Sequence, residues 1–323
     1  MLDTNAKKFA PLNRGFARTF KAGGLTVGLV VPLERYDQSA VPTMARHLDR
    51  ARLADELGFA ALWLRDVPFN VPSFGDAGQI FDPFVYLGLL SAATKSIALG
   101  TASIILPLRH PAHVAKAAAS ADQLSNGRLL LGVASGDRPE EYPAMNMEFE
   151  SRGERFRDSL RYIRSMADSP PKIDTAQGVV AGMELLPKPT ADRLPLLITG
   201  SSRQSPDWTA EHGDGWITYP RAVPHQARAV ADYRRATNAL GHGDKPVMQS
   251  LYVDLASEPS EPPSPIHLGF RSGATALTDY LTAIEDAGVN HVALNLRFNQ
   301  ANIEDTLQRL ADALLPRFLT GDT

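Results

Sequence analysis

Apolar runs and helical spacings alternate along nearly the whole chain. LTVGLVVPL (Leu25 to Leu33) is an unbroken apolar run of the kind a buried strand needs. From Pro42 to Leu57 the apolar residues Met44, Leu48, Ala51, Leu53, Ala54 and Leu57 fall at helical spacing, and Gly58 ends the pattern. The alternation then repeats. Strands are predicted at Phe59 to Leu64, Ile97 to Leu106, Arg128 to Gly136, Leu194 to Gly200, Asp214 to Tyr219, Pro246 to Ala256 and His291 to Phe298. Helices are predicted at Phe84 to Thr94, Ala112 to Leu124, Glu154 to Met166, Asp207 to His212, Val223 to Leu240 and Ile303 to Leu315, and a small hairpin at Gly178 to Leu186.

Eight strands alternating with helices in this way predict an α/β fold, a parallel (β/α)8 TIM barrel. An open doubly wound sheet is the alternative, but the first strand–helix turn lacks a glycine-rich dinucleotide fingerprint. No linker divides the pattern. The expectation is a single domain over residues 25–323, preceded by an N-terminal arm, residues 1–24, that is loosely ordered and packs on a partner subunit. Two segments exceed ordinary connections: Asp137 to Gly153, and Ser257 to Ser272, which opens with the Pro- and Glu-rich SEPSEPPSP. Insertions of this length at strand ends read as lids or substrate loops.

Composition narrows the chemistry. The 323 residues are 44% hydrophobic, enough for a large core. A net charge of -3 gives no electrostatic case for nucleic acid. The absence of cysteine excludes thiolate catalysis, disulfides and Cys-ligated metal. The basic start of the chain (Lys7, Lys8, Arg14, Arg18, Lys21) is not followed by an apolar core of signal-peptide type, and no stretch is apolar enough to span a membrane. A cytoplasmic protein without membrane contact is expected.

A barrel of this type builds its site at the C-terminal ends of its strands. Residues falling there include Glu34, Arg65, Asp66, Arg109, His110, Ser135, Gly136, Asp137, Arg138, Gly200, Ser201, Ser202, Tyr219, Arg221, Asn295 and Arg297. The eight histidines are scattered and no HxxxH or HxH spacing appears, so no metal site is expected. After Ile198 the fifth strand breaks into Thr199, Gly200, Ser201 and Ser202, and a helix begins near Ser205. Small hydroxyl residues at a helix start suit a phosphate cradle, but taken alone they favour a plain N-cap.

The stretch IALGTASIILPLRHPAHVAKAAASADQLSNGRLLLGVASG resembles the signature block of the bacterial luciferase-like flavin monooxygenases. SRGERFRDSLRYIRSM, PLLITGSS followed by DWTAEHGDGW, and HVALNL resemble further blocks of that family in order, over roughly residues 25–315. LWLRDVPF, PSFGDAGQIFDPFVYLG, GVASGDRPEEYPA and SPIHLGFR resemble a luciferase-type oxidoreductase subfamily. The resemblance implies reduced FMN in the barrel mouth, or a deazaflavin as in some branches. It implies that the phosphate lies at Ser201, Ser202 and Ser205, with Gly200 allowing close approach. It places Thr101, Ala102 and Ser103 beside the ring, with a non-prolyl cis peptide at Ala102–Ser103, and puts Ser135 and Gly136 against the flavin or its phosphate. Trp208 becomes a packing residue.

One departure stands out. Luciferases proper carry a catalytic His after the second strand, where this chain has Asp66. Asp66 is therefore a candidate to position substrate, to act as a weak base, or to close a structural ion pair with Arg65 or Arg138. Arg138 is a candidate to bind an anionic substrate or the phosphate, the alternative being a loop salt bridge with Glu140 or Glu141. His267 and Arg271 are candidate lid residues. The implied activity is a two-component monooxygenase fed by a separate flavin reductase and acting as a homodimer on a small-molecule substrate. A deazaflavin-dependent dehydrogenase and a non-catalytic flavin-binding barrel are the alternatives.

Overall fold

The structure is a computed structural model that describes residues 9–318. Eight strands close into a parallel barrel: β1 (Thr26–Val30), β2 (Ala61–Leu64), β3 (Ala98–Thr101), β4 (Leu129–Ala134), β5 (Leu196–Thr199), β6 (Gly215–Thr218), β7 (Val247–Leu255) and β8 (His291–Asn295). The register runs Leu29 to Leu62, Trp63 to Gly100, Gly100 to Leu130, Gly132 to Leu197, Ile198 to Trp216 and Ile217 to Met248. Ser250 then pairs with Ala293, and Ala293 with Gly28, which closes the ring. Each strand leads to one helix of the outer layer: α1 (His47–Glu56), α2 (Pro83–Ala93), α3 (Pro111–Leu124), α4 (Arg152–Ser165), α5 (Pro206–His212), α6 (Val223–Ala239), α7 (Ala274–Asp286) and α8 (Ile303–Leu314). Among the described residues no helix is long and apolar enough to cross a membrane.

Two apolar layers hold this together. The larger fills the space between strands and helices; Leu62, Leu99, Leu131, Leu281 and Leu307 are all fully buried there. The smaller fills the barrel itself and is built from Ala61, Ala98 and Ala293 around Trp63. The interior is too narrow for more. A Cβ on Gly100 would lie 2.3 Å from the Trp63 ring, and one on Gly28 would lie 2.6 Å from the His291 ring. Trp63 Nε1–H donates to His291 Nε2 at 2.8 Å, and His291 Nδ1 faces Thr26 Oγ1 at 2.6 Å. Thr26 in turn donates to the Thr19 carbonyl, which satisfies the buried polar atoms in sequence. Burial pushes the His291 ring down to about 3, so it stays neutral.

Several expectations are corrected. From Phe9 onward the arm is not loose: a short helix, Arg14–Thr19, plugs the barrel floor with Phe16 and Phe20 buried, and Asn13 Nδ2 donates to Leu129 O at 2.8 Å. Residues 1–8 of the arm lie outside the described residues. Helix α1 starts at His47 rather than Pro42, because Met44 and Arg46 both take left-handed backbone angles. The small hairpin pairs Ile173–Thr175 with Gly178–Val180, so only its second strand falls within the expected span. Helix α7 had no sequence counterpart. The second long segment is a folded hairpin, Ser264–Ile266 with Gly269–Ser272, whose second strand runs parallel to the end of β7.

Candidate active site

The mouth of the barrel opens into a cavity of about 620 Å³, within the ordinary range for a ligand site. Its inner wall is apolar: Val30, Ala102, Ile217, Met248 and Ala293 line it. The wall is interrupted where β3 ends, since the Ala102–Ser103 peptide is cis and the chain resumes strand pairing at Ile104, opposite Val133. Ser103 lines the cavity, and its hydroxyl is joined to that of Thr199. Thr101 does not reach the cavity. Its Oγ1 donates to Gly132 O at 2.7 Å inside the barrel wall.

Beyond β5 the chain makes an unusual turn. Gly200, Ser202 and Arg203 all have positive φ (56°, 44° and 62°). Ser202 is buried and its Oγ donates to Thr199 O at 2.8 Å. The backbone N–H groups of Ser201 and Ser202 have no acceptor among the described residues. Free N–H groups in a left-handed turn form a concavity suited to anions. Arg152, at the start of α4, lines the same cavity; its side chain is largely buried and its Nε is unpaired. Gln204 Nε2 ties this turn to Gly153 O at 2.8 Å. The residues present thus fit a phosphate-bearing planar cofactor in donor chemistry and in volume. Ser205 caps α5: its hydroxyl accepts from Trp208 N, and it does not line the cavity. Ser135 and Gly136 line the cavity on the neighbouring side. Glycine is required at 136: φ is 76°, and a Cβ added there would lie only 2.8 Å from Ile105 Cγ2.

Asp66 lines the cavity but is not free. Arg109 forks onto it through Nε (2.8 Å) and Nη2 (2.7 Å), and Ile105 N–H donates to it at 3.1 Å. Asp66 and Arg109 thus form a buried ion pair just past β2. The partner is Arg109 rather than Arg65 or Arg138. Arg65 instead grips Asp76 at 2.9 Å, as does Arg297, and Arg138 reaches the cavity from the β4 loop. The Glu141 carboxyl lies beside Arg138, and burial pushes it up to about 7.

The hairpin after β7 reaches the mouth of the cavity. His267 and Leu268, at its tip, line the cavity, and His267 packs on Tyr252 with ring centres 5.6 Å apart. Arg271 faces elsewhere: it is paired with Asp254 at 2.8 Å and Glu261 at 2.9 Å, which pins the hairpin to β7. Its lid-contact reading is corrected accordingly. Sequence reasoning passed over Arg152, Arg203 and Asp76 as site residues. The first lies in SRGERF and the last in PSFGDAGQ, both stretches that carry the family resemblance. Among the described residues no group of three or more His, Asp or Glu could hold a metal ion.

Relatives that share this barrel include both F420-dependent and flavin-dependent oxidoreductases. The luciferase-like monooxygenase family matches residues 25–309, and the chain belongs to that family. The F420-dependent hydroxymycolic acid dehydrogenase of Mycobacterium tuberculosis is 27% identical over 219 residues, covering 67% of this chain and 58% of that protein. The oxygenase component of the flavin-dependent trigonelline monooxygenase of Acinetobacter baylyi is 32% identical over 121 residues, covering 37% of this chain and 32% of that one. Among solved structures, monooxygenase RslO1 from Streptomyces bottropensis superposes with a TM-score of 0.77 at 18% identity, covering 90% of this chain and 99% of its own.

Proposed function

We propose that this protein is the oxygenase component of a two-component monooxygenase, which takes reduced FMN from a separate reductase and uses it with O2 on a small organic substrate. The observation that carries this reading is the character of the inner cavity: an apolar inner wall with an anion-accepting turn at one side. Bound there, reduced FMN supplies the electrons that let one oxygen atom enter the substrate while the other leaves as water. The Ser201 and Ser202 N–H groups, Arg152 and Arg203 hold the phosphate. Val30, Ala102 and Met248 support the ring, and the Asp66–Arg109 pair keeps that shelf in place. The His267–Leu268 tip covers the mouth and excludes water. The protein acts as a homodimer in this reading: α2 leaves Val85 and Leu89, one turn apart, exposed on one face.

Anaerobic titration with reduced FMN, reduced riboflavin and reduced F420 tests the proposal. Reduced FMN should bind at least tenfold more tightly than reduced riboflavin, and Arg152→Gln with Arg203→Gln should abolish that difference. Admission of O2 should then give product only when a substrate is present. Binding of F420 and not FMN would replace the reading by the deazaflavin dehydrogenase, which the 27% identical mycobacterial relative favours. Sedimentation of the parent and of Val85→Glu/Leu89→Glu reads the oligomeric state.

A further inference from the structure

Three arginines converge on one short loop beside the cavity. Arg65, just past β2, forks onto the Asp76 carboxylate at 2.9 and 3.0 Å and reaches Tyr36 Oη at 3.0 Å. Arg297, past β8, meets the same carboxylate at 2.9 Å and donates to Gly75 O at 2.6 Å. Arg138, from the β4 loop, donates to the main-chain oxygen of Asp76 at 3.1 Å and stacks over Phe74, its Cζ 4.6 Å from the ring centre. All three line the cavity. The Asp76 carboxylate therefore serves two of the three guanidinium groups, Arg65 and Arg297.

Arg138 is the least compensated of them. It is 8% exposed, and its Nη1 has no hydrogen-bond partner among the described residues. The carboxylate beside it, Glu141, stays 4.0 Å away. A buried cation left in this state is unfavourable unless a further anion reaches it. Asp66 cannot supply that anion, because Arg109 occupies both its oxygens.

We infer that this side of the cavity is a receptor for a carboxylate carried by the substrate, with Arg138 as its direct ligand and Arg65 and Arg297 as a fixed positive field behind it. The inference rests on the reading of the cavity as a joint cofactor and substrate site. The guanidinium fork matches a carboxylate with two parallel donors. The phosphate turn is a separate place: it is tied to Gly153 on α4, whereas Arg138 rests on Phe74 from the loop after β2.

Calorimetric titration of the full chain with three size-matched pairs tests it: acetate and acetamide, benzoate and benzamide, octanoate and octanamide. At least one carboxylate should bind tenfold or more tightly than its amide. Arg138→Gln should weaken that carboxylate at least tenfold, Arg138→Lys should restore part of the loss, and reduced-FMN affinity should change less than threefold in both. No preference for any carboxylate, or an Arg138→Gln protein that binds it like the parent, overturns the assignment. So does parallel loss of carboxylate and FMN binding in a folded variant, since Arg138 would then serve the phosphate. Carboxylate preference without any FMN binding would instead sink the flavin reading and leave this one standing.

Discussion

Asp66→Asn separates a structural ion pair from a catalytic carboxylate. The Asp66 side chain is 1% exposed and accepts three hydrogen bonds, two of them from Arg109. Breaking a buried charge pair by removing one partner costs about 3–5 kcal/mol. Two features reduce that here. Asn keeps one acceptor oxygen, and Arg109, which is 25% exposed, retains Asp82 at 2.8 Å. The expected loss is therefore about 2–3 kcal/mol. For a chain of this length that corresponds to a fall in Tm of about 3–4 °C. Thermal and urea unfolding of Asp66→Asn, Arg109→Gln and the double variant would give the coupling, which should be about 2 kcal/mol for groups in direct contact. Turnover should fall only as far as the shelf after the cis peptide loosens. A variant of parental stability whose kcat is a thousandfold lower would refute the structural assignment and return Asp66 to the chemistry.

Gly100→Ala should be severely destabilising, by about 3 kcal/mol or more, because the new methyl would sit 2.3 Å from the Trp63 ring in a closed barrel; expression in inclusion bodies or a large Tm loss checks it. His291 has a folded value of about 3, below its unfolded value, so its contribution to stability is full above pH 6.5 and is lost as pH falls toward 3. Its ring should remain a neutral Nδ1–H tautomer at pH 4.5 by nitrogen chemical shift, with a protonated ring at that pH contradicting the buried relay. Glu141 has the opposite sign: its carboxyl is raised to about 7, so stability is full below pH 4.5 and lost as pH rises through 7. Glu141→Gln should accordingly be more stable than the parent at pH 8, by on the order of 2–3 kcal/mol, and equal to it at pH 4; a pH-independent difference would contradict this.

Most of the signature block turns out to hold the barrel together rather than to touch a ligand. In DQLSNGR, Asp122 accepts from Asn13 Nδ2 and from Thr190, Asn126 and Gly127 make a left-handed turn, and Arg128 donates to Thr94 Oγ1 and Ile97 O. Such motifs are legible because they satisfy buried main-chain groups, which only a few residue types can do. Ser205 illustrates the limit. Its position before a helix admitted both a cap and a phosphate ligand, and the choice depended on which way the hydroxyl faces, a matter of packing.

The alternation of apolar runs with helical spacings determined the eight-fold barrel by itself, because strand and helix periodicities are local and each unit must bury one face. The same pattern located the strand ends and hence the mouth. Tertiary structure alone decided who pairs with whom there. Asp66 meets Arg109 across 43 residues and Asp76 meets Arg297 from the far end of the chain, so no local pattern could have distinguished these from the nearer arginines. It also decided that Phe16 and Phe20 of a basic arm would stop the barrel floor, since the need for a plug arises only once the ring has closed.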